Sequence, residues 1–506
     1  MTGKDARPIP KCETNVYAQG VEYENALGAA SARGQETVVR LLLDHGVDVN
    51  AKWGDYGTAL YAASKEGHEE IVRLLLTRNA DINKIVISRR TALDAASFGG
   101  HENIVRLLLA NGAKIEGWFR SALVEASAGG HQEIVSLLLN EGADINARGN
   151  FTVPSAWSDY GTALDAASLA GHENIVRLLL ASKADVNAGF PLCAASEGGH
   201  KKIVRLLLAK DADVNAVDDS GDFLVTALFT ASKGGHEEIV SLLLASGADV
   251  NGVRCDEGFS GTALCAASKG GYEEIVSMLI DNGANINAQS GNDWTALMEA
   301  SGEGHEAIVR LLLDKGADVT LSAYRGTALT AASRGGHEAV VRLLLASGAD
   351  INEVPYEGTA LSAASEKGHE RIVRLLLDKG ADITLSGYRG TPLTAASGGG
   401  HEAIAQLLLA SGAATNIDAE DRYGDTALLA ASRNGHEAIV KLLLDKGADI
   451  HAKGPSGSTA LDVASQRGHK EIVRLLSNTD QQEQTSTADN QSLFMLSDQS
   501  LSYPWS

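Results

Sequence analysis

One phrase, GTALxAASxxGHExIVRLLLxxGADVNA, recurs along the chain. The first residue of its TAL-like triplet falls at Asn25, Thr58, Thr91, Ser121, Thr162, Phe190, Thr226, Thr262, Thr295, Thr327, Thr359, Thr391, Thr426 and Thr459. These 14 repeats are spaced by about 33 residues on average. A segment that short cannot bury two apolar faces by itself. It must stack on its neighbours, so stability comes from interfaces between adjacent repeats.

The second repeat shows why each part of the phrase is there. Thr58 is placed to cap a first helix by accepting from an orphan backbone N–H. Leu60, Ala62 and Ala63 follow, and the small alanines let neighbouring helices approach. Pro191 and Pro392 stand directly after the cap position in two other repeats, where a missing N–H costs nothing. Gly67 suits the left-handed position that stops this helix. Glu69 then opens a second helix at the positive end of its dipole. Ile71, Val72, Leu75 and Leu76 give that helix a broad apolar face. A GAD triplet, as at Gly316-Ala317-Asp318, turns the chain into a projecting hairpin-like loop.

The phrase resembles the ankyrin repeat family from Asn25 to about Ser477. The resemblance implies an all-α solenoid of about 14 helix-turn-helix units with projecting loops, and a role in binding other proteins. Its TALxAAS form is similar to that of large arrays in filamentous fungi. Three features depart from the family pattern. TPLH becomes TAL plus a variable residue (Tyr61, Asp94, Cys193, Met298), the second alanine is usually serine, and several loops deviate by up to eight residues from the period.

The predicted boundaries are a lead over 1–24, the array over 25–477, and a disordered polar, acidic tail over 478–506. Gln35 in place of histidine, and Lys470 with Ser477 at the other end, read as capping changes. The net charge of −22 argues against nucleic acid, whose binders need a basic face. Half of that charge is framework. Glutamate follows the GH position in 11 repeats and aspartate the GA position in 10, against 10 bases at the IVR position. The four cysteines (Cys12, Cys193, Cys255, Cys265) show no metal spacing and suit free thiols in a reducing compartment. There is neither an apolar signal region nor a run long enough to span a membrane. The chain therefore reads as intracellular, in the cytoplasm or the nucleus.

Twelve of the 14 histidines sit at the GH position. Equivalent residues of stacked helices are expected about 8–10 Å apart, too far for one zinc ion, which needs ligands at about 2 Å. A structural role at the helix junction is the better reading. The AAS serines lie inside helices without a nucleophile elbow, and no phosphate-binding loop occurs. No catalytic residue, metal or cofactor is expected.

The loops carry the candidate binding residues, because 15 of 24 aromatics fall there and aromatics with arginine dominate binding hot spots. The selected residues are Trp53, Tyr56, Trp118, Arg120, Phe151, Trp157, Tyr160, Phe223, Phe259, Trp294, Tyr324, Arg325, Tyr388 and Arg389. Tyrosines ahead of the GT turn have a second reading, as rings that stack on adjacent loop tips and belong to the frame. The loop before Thr162 is long and the loop before Phe190 is short, a step where a partner can lodge. Repeats four to eight are therefore expected to be the main contact region. Residues 311–350 and 375–414 match at 32 of 40 positions, which places Tyr324-Arg325 and Tyr388-Arg389 on alternate loops, about 20 Å apart at helix-packing distance. The function expected is a protein-interaction scaffold or adaptor. The alternatives are a targeting subunit that recruits through Leu493, Phe494, Met495 and Trp505 of the tail, and an enzyme with a groove pocket.

Overall fold

A computed structural model describes residues 26–52, 57–86, 90–115, 121–150, 160–218, 225–252, 261–290, 293–388, 390–454 and 457–482. The chain divides into two compact units, Met1–Asp256 and Glu257–Ser506. Each contains seven helix pairs. The first unit runs from Ala26–Ala32 and Glu36–Asp44 to Ala227–Lys233 and Glu237–Ala245. The second runs from Ala263–Gly270 and Glu273–Asp281 to Ala460–Arg467 and a helix over 470–482. That last helix passes Ser477, so 478–482 continue the array and the predicted tail boundary moves outward; 483–506 lie outside the described residues.

The pair Ala360–Lys367 and Glu370–Asp378 stands for the others. Thr359 is extended and its side chain accepts from the Ser362 N–H, a cap that contributes about 1 kcal/mol. At Thr91, Thr162 and Thr459 an aspartate three residues on returns the bond, completing a capping box. Ser121 makes no such bond. Leu361, Ala364, Val373 and Leu376 are buried. The first helices pack closely on one another within each unit and the second helices more loosely, as the alanines of the first predict.

At the repeat ends, Gly368 adopts φ +81° and stops the first helix in the left-handed region. The His401 ring of the next repeat lies on that glycine, where a Cβ would sit 2.6 Å from Cε1. Its Nε2 is 2.9 Å from the Glu366 carbonyl. A carbonyl only accepts, so the ring nitrogen donates. All twelve GH histidines make this bond to the preceding repeat, at 2.8–3.3 Å. The structural reading of the histidines holds. They are rivets between repeats.

The framework acids are also satisfied locally. Glu36–Arg40, Glu102–Arg106 and Glu306–Arg310 are exposed i,i+4 pairs at 2.7 Å, each contributing about 0.3–0.5 kcal/mol. In the loops the aspartate carboxylates accept from the backbone N–H two residues on, as Asp350 does from Asn352 at 2.9 Å.

In the first repeat, whose Gln35 replaces histidine, Leu41 and Val38 of the second helix are 56% and 41% exposed. The serines at the AAS position are fully buried except Ser465 of the last repeat, and the hydroxyls of Ser301, Ser333, Ser365 and Ser397 find no hydrogen-bond partner among the described residues.

Candidate functional site

Four consecutive loops of the second unit carry a tyrosine beside the turn that leads into the next first helix: Tyr324, Tyr356, Tyr388 and Tyr423. Each loop is built from its base upward. The Asp318 carboxylate accepts from the Thr320 N–H at 2.9 Å and its hydroxyl at 2.7 Å. Asp382 and Thr384 repeat this at 2.8 and 2.7 Å. Those bonds to threonine hold both carboxyls below the usual aspartate value. Neighbouring loops are tied by side-chain amides: Asn352 Oδ1 accepts from the Asp382 N–H at 2.8 Å, and Asn287 Oδ1 from the Asp318 N–H at 2.9 Å. Above the base, Ser322–Ala323 pairs antiparallel with Gly326–Thr327, and Gly387 bridges Gly390.

The loops then converge. The Tyr388 N–H donates to the Tyr356 carbonyl at 2.8 Å. A Cβ on Gly387 would lie 2.2 Å from Gly358 Cα, so only glycine permits this approach. Tyr324 stacks on Tyr356 with centroids 4.3 Å apart, and Tyr356 on Tyr388 at 4.9 Å. Tyr388 meets Tyr423 edge to face at 5.0 Å. Such pairs contribute about 0.5–1.5 kcal/mol each. The expected 20 Å between Tyr324 and Tyr388 is thus wrong: Tyr356 bridges them, and two stacking steps separate the rings. The expectation applied the helix-packing step to loop tips that lean together.

The ribbon is ordered yet open. Tyr324 is 57% exposed and Tyr423 49%. A hydrogen bond with Tyr356 raises the Tyr324 hydroxyl above the ordinary phenol value. The Arg422 guanidinium lies over the Tyr356 ring at 5.0 Å and the Tyr388 ring at 5.7 Å. Beside it an open depression is lined by Val354, Pro355, Tyr356, Tyr388, Glu420 and Asp421. Burial, together with the nearby charges of Asp425 and Glu420, raises the Asp421 carboxyl above the usual range, although it accepts a backbone bond from Asp425. Asp425 is itself buried and paired with Arg433. Arg325, exposed, is 3.8 Å from Glu357 Oε1, and Arg334 Nη1 is 2.7 Å from Glu357 Oε2. The latter contact is too poorly aligned for a hydrogen bond and is electrostatic.

Of the residues chosen from sequence, Tyr324, Arg325 and Tyr388 come together here. Trp294 does not join them: it is half-buried, with its ring 3.6 Å from where a Cβ on Gly302 would stand. Trp53, Tyr56, Trp118, Arg120, Phe151, Trp157, Phe223, Phe259 and Arg389 lie outside the described residues, and of Tyr160 only the backbone, paired with Asn150, is described. Most of the tips in the predicted contact region, repeats four to eight, therefore fall outside as well. The step before Phe190 is partly filled by the chain itself. Arg148 bonds the Ala188 carbonyl at 2.8 Å and lies 5.5 Å over the Phe190 ring, while Asp165 accepts the Phe190 N–H at 2.8 Å. Tyr356, Tyr423 and Arg422 were not selected. Tyrosine recurring in four successive loops was a signal for the first two. Arg422 stands in a loop that breaks the period and left none.

Reactive chemistry finds little footing among the described residues. Cys193 and Cys265 are buried thiols outside any disulfide. Burial pushes the Cys265 thiol up to about 11. Its thiolate is therefore scarce at pH 7 to 9, and alkylation of Cys265 in the native chain is expected to be slower by two orders of magnitude or so than for an exposed thiol. It should become fast in denaturant, as peptide mapping after timed alkylation will read. Among the described residues no three histidine, cysteine or acidic groups gather to hold a metal. No helix among them is long and apolar enough to cross a membrane.

Stacked helix pairs, riveted by histidine and bearing loops at one edge, define an all-α repeat solenoid. The family described as ankyrin repeats (three copies) matches residues 9–86, 29–117, 95–189, 166–254, 228–323, 321–387 and 386–454, and that described as ankyrin repeat matches 456–481. The chain belongs to the ankyrin repeat family. No curated protein matches it. Ankyrin repeats are protein-interaction modules and are generally not catalytic.

Proposed function

We propose that the chain is an adaptor of the cytoplasm or nucleus that performs no catalysis and holds a partner protein on its loop tips, chiefly on the ribbon Tyr324–Tyr356–Tyr388–Tyr423. The observation that carries this reading is the ribbon itself. Four aromatic rings stand in serial contact, the central pair tied by a backbone bond, while both end rings stay about half exposed. A surface already ordered loses little entropy on binding, and tyrosine is enriched where binding energy concentrates. The aromatic tips at Trp118, Phe151, Trp157, Tyr160, Phe223 and Phe259 form a second contact zone in this reading.

Replacing Tyr324 and Tyr423 with serine removes aromatic surface and leaves the core untouched. The paired variant is expected to lose its partners at least about thirtyfold in affinity, the effect of a hot spot of about 2 kcal/mol. Quantitative capture from native-cell extract, with wild type and variant at matched concentration, measures this. An identical partner set at identical dissociation rates would remove the ribbon from the interface.

A further inference from the structure

The chemistry of the ribbon narrows the partner. Resting on the scaffold reading, we propose that the ribbon and the depression beside it take arginine side chains of a basic partner segment, and that Arg422 occupies this place when no partner is bound. Three observations converge on a guanidinium. First, the ribbon already holds one: Arg422 lies over two phenol rings, at 5.0 and 5.7 Å, from an exposed position. A planar, weakly hydrated cation stacks on aromatic rings better than an ammonium does. Second, two carboxylates, Glu420 and Asp421, line the same depression and present opposite charge to an incoming cation. Third, Val354, 42% exposed, lines the same depression as Tyr356, over the buried Pro355, and offers apolar surface to the stem of a long side chain.

The charge of the whole chain points the same way. Of the −22, about half remains after the framework pairs are set aside, so a basic segment is steered toward this protein and an acidic one is repelled. Tyr324, open at the end of the stack, offers its ring as a second place for a guanidinium to stack, the neighbouring Glu357 being already engaged by Arg325 and Arg334. Because Arg422 is exposed, a partner arginine displaces it without opening the core.

The test uses the full chain and two labelled peptides of equal length, oligo-arginine and oligo-lysine, titrated by fluorescence anisotropy at fixed salt. The arginine peptide is expected to bind about tenfold more tightly, because only it stacks. Tyr356→Leu with Tyr388→Leu should abolish that preference and leave the lysine affinity in place. Arg422→Gln should tighten the arginine peptide severalfold, and Glu420→Gln with Asp421→Asn should weaken both peptides. Circular dichroism of each variant checks that the helices persist. Equal affinity for the two peptides, or an oligo-proline or oligo-glutamate peptide that binds as tightly as oligo-arginine, overturns the proposal. Loss of cellular partners in the tyrosine variants without arginine preference would leave the scaffold standing and sink this inference alone. Arginine preference with an unchanged partner set would sink the scaffold reading of the ribbon instead.

Discussion

Gly368→Ala in the full chain is expected to open the interface between two adjacent repeats, at a cost of about 2–5 kcal/mol. Two effects combine. Alanine at φ +81° carries a strain of about 1–2 kcal/mol. Its Cβ would also sit 2.6 Å from His401 Cε1 and 2.7 Å from Nδ1, which forces the imidazole away from the Glu366 carbonyl it holds at 2.9 Å. Losing that part-buried bond costs a further 1–3 kcal/mol or so. His401→Ala alone removes the bond without the strain or the clash and should cost about 1–3 kcal/mol. The double variant is the sharper measurement. With the ring gone the new Cβ has room, so the pair should be less damaging than the two single changes added together. Because stability in such an array is a sum of neighbour terms, the loss should appear locally, as faster amide exchange across 359–410 and little change in distant repeats. Strict additivity of the two changes would mean that glycine and histidine do not interlock.

That interlock was half legible in the sequence. GH in twelve repeats marked a junction, and glycine before histidine marked a left-handed stop; both follow from local backbone chemistry. The partner of the ring was not legible, because the carbonyl it seeks lies about 31–44 residues back and only stacking brings it near. The loops show the same divide. Aspartate two residues before asparagine or threonine signals a local turn, and the structure has it at Asp350, Asp318 and Asp382. The distance between loop tips is a tertiary quantity. It depends on Gly387 meeting Gly358 backbone to backbone, and a sequence of 33-residue steps suggests helix spacing instead. Trp294 shows a related limit: loop position suggests exposure, whereas its ring lies back toward Gly302 and is half-buried. Arg422, which completes the ribbon, stands outside the period altogether.

The serines of the AAS triplet make the opposite prediction, a gain. Ser301, Ser333, Ser365 and Ser397 are fully buried in successive first helices of the second unit, and no group accepts or donates to their hydroxyls. Burying a hydroxyl without a partner costs about 1–3 kcal/mol by protein mutational measures. Alanine removes that penalty and is the better helix former by about 0.5 kcal/mol. Against this stands the loss of one oxygen's packing, a void smaller than a methyl group, which offsets a few tenths of a kcal/mol or so. Each Ser→Ala change is therefore expected to stabilise by about 1 kcal/mol, and all four together by about 4 kcal/mol. The quadruple variant should shift the urea midpoint upward with an unchanged slope, since the surface exposed on unfolding stays the same. Tyr324 through Tyr423 are untouched by these changes, so partner binding should not alter. If the midpoint stays or falls, the hydroxyls do have partners, the nearest being carbonyls one turn back in the same helix, and serine belongs to the helix rather than burdening it. The sign of one equilibrium measurement separates the two cases.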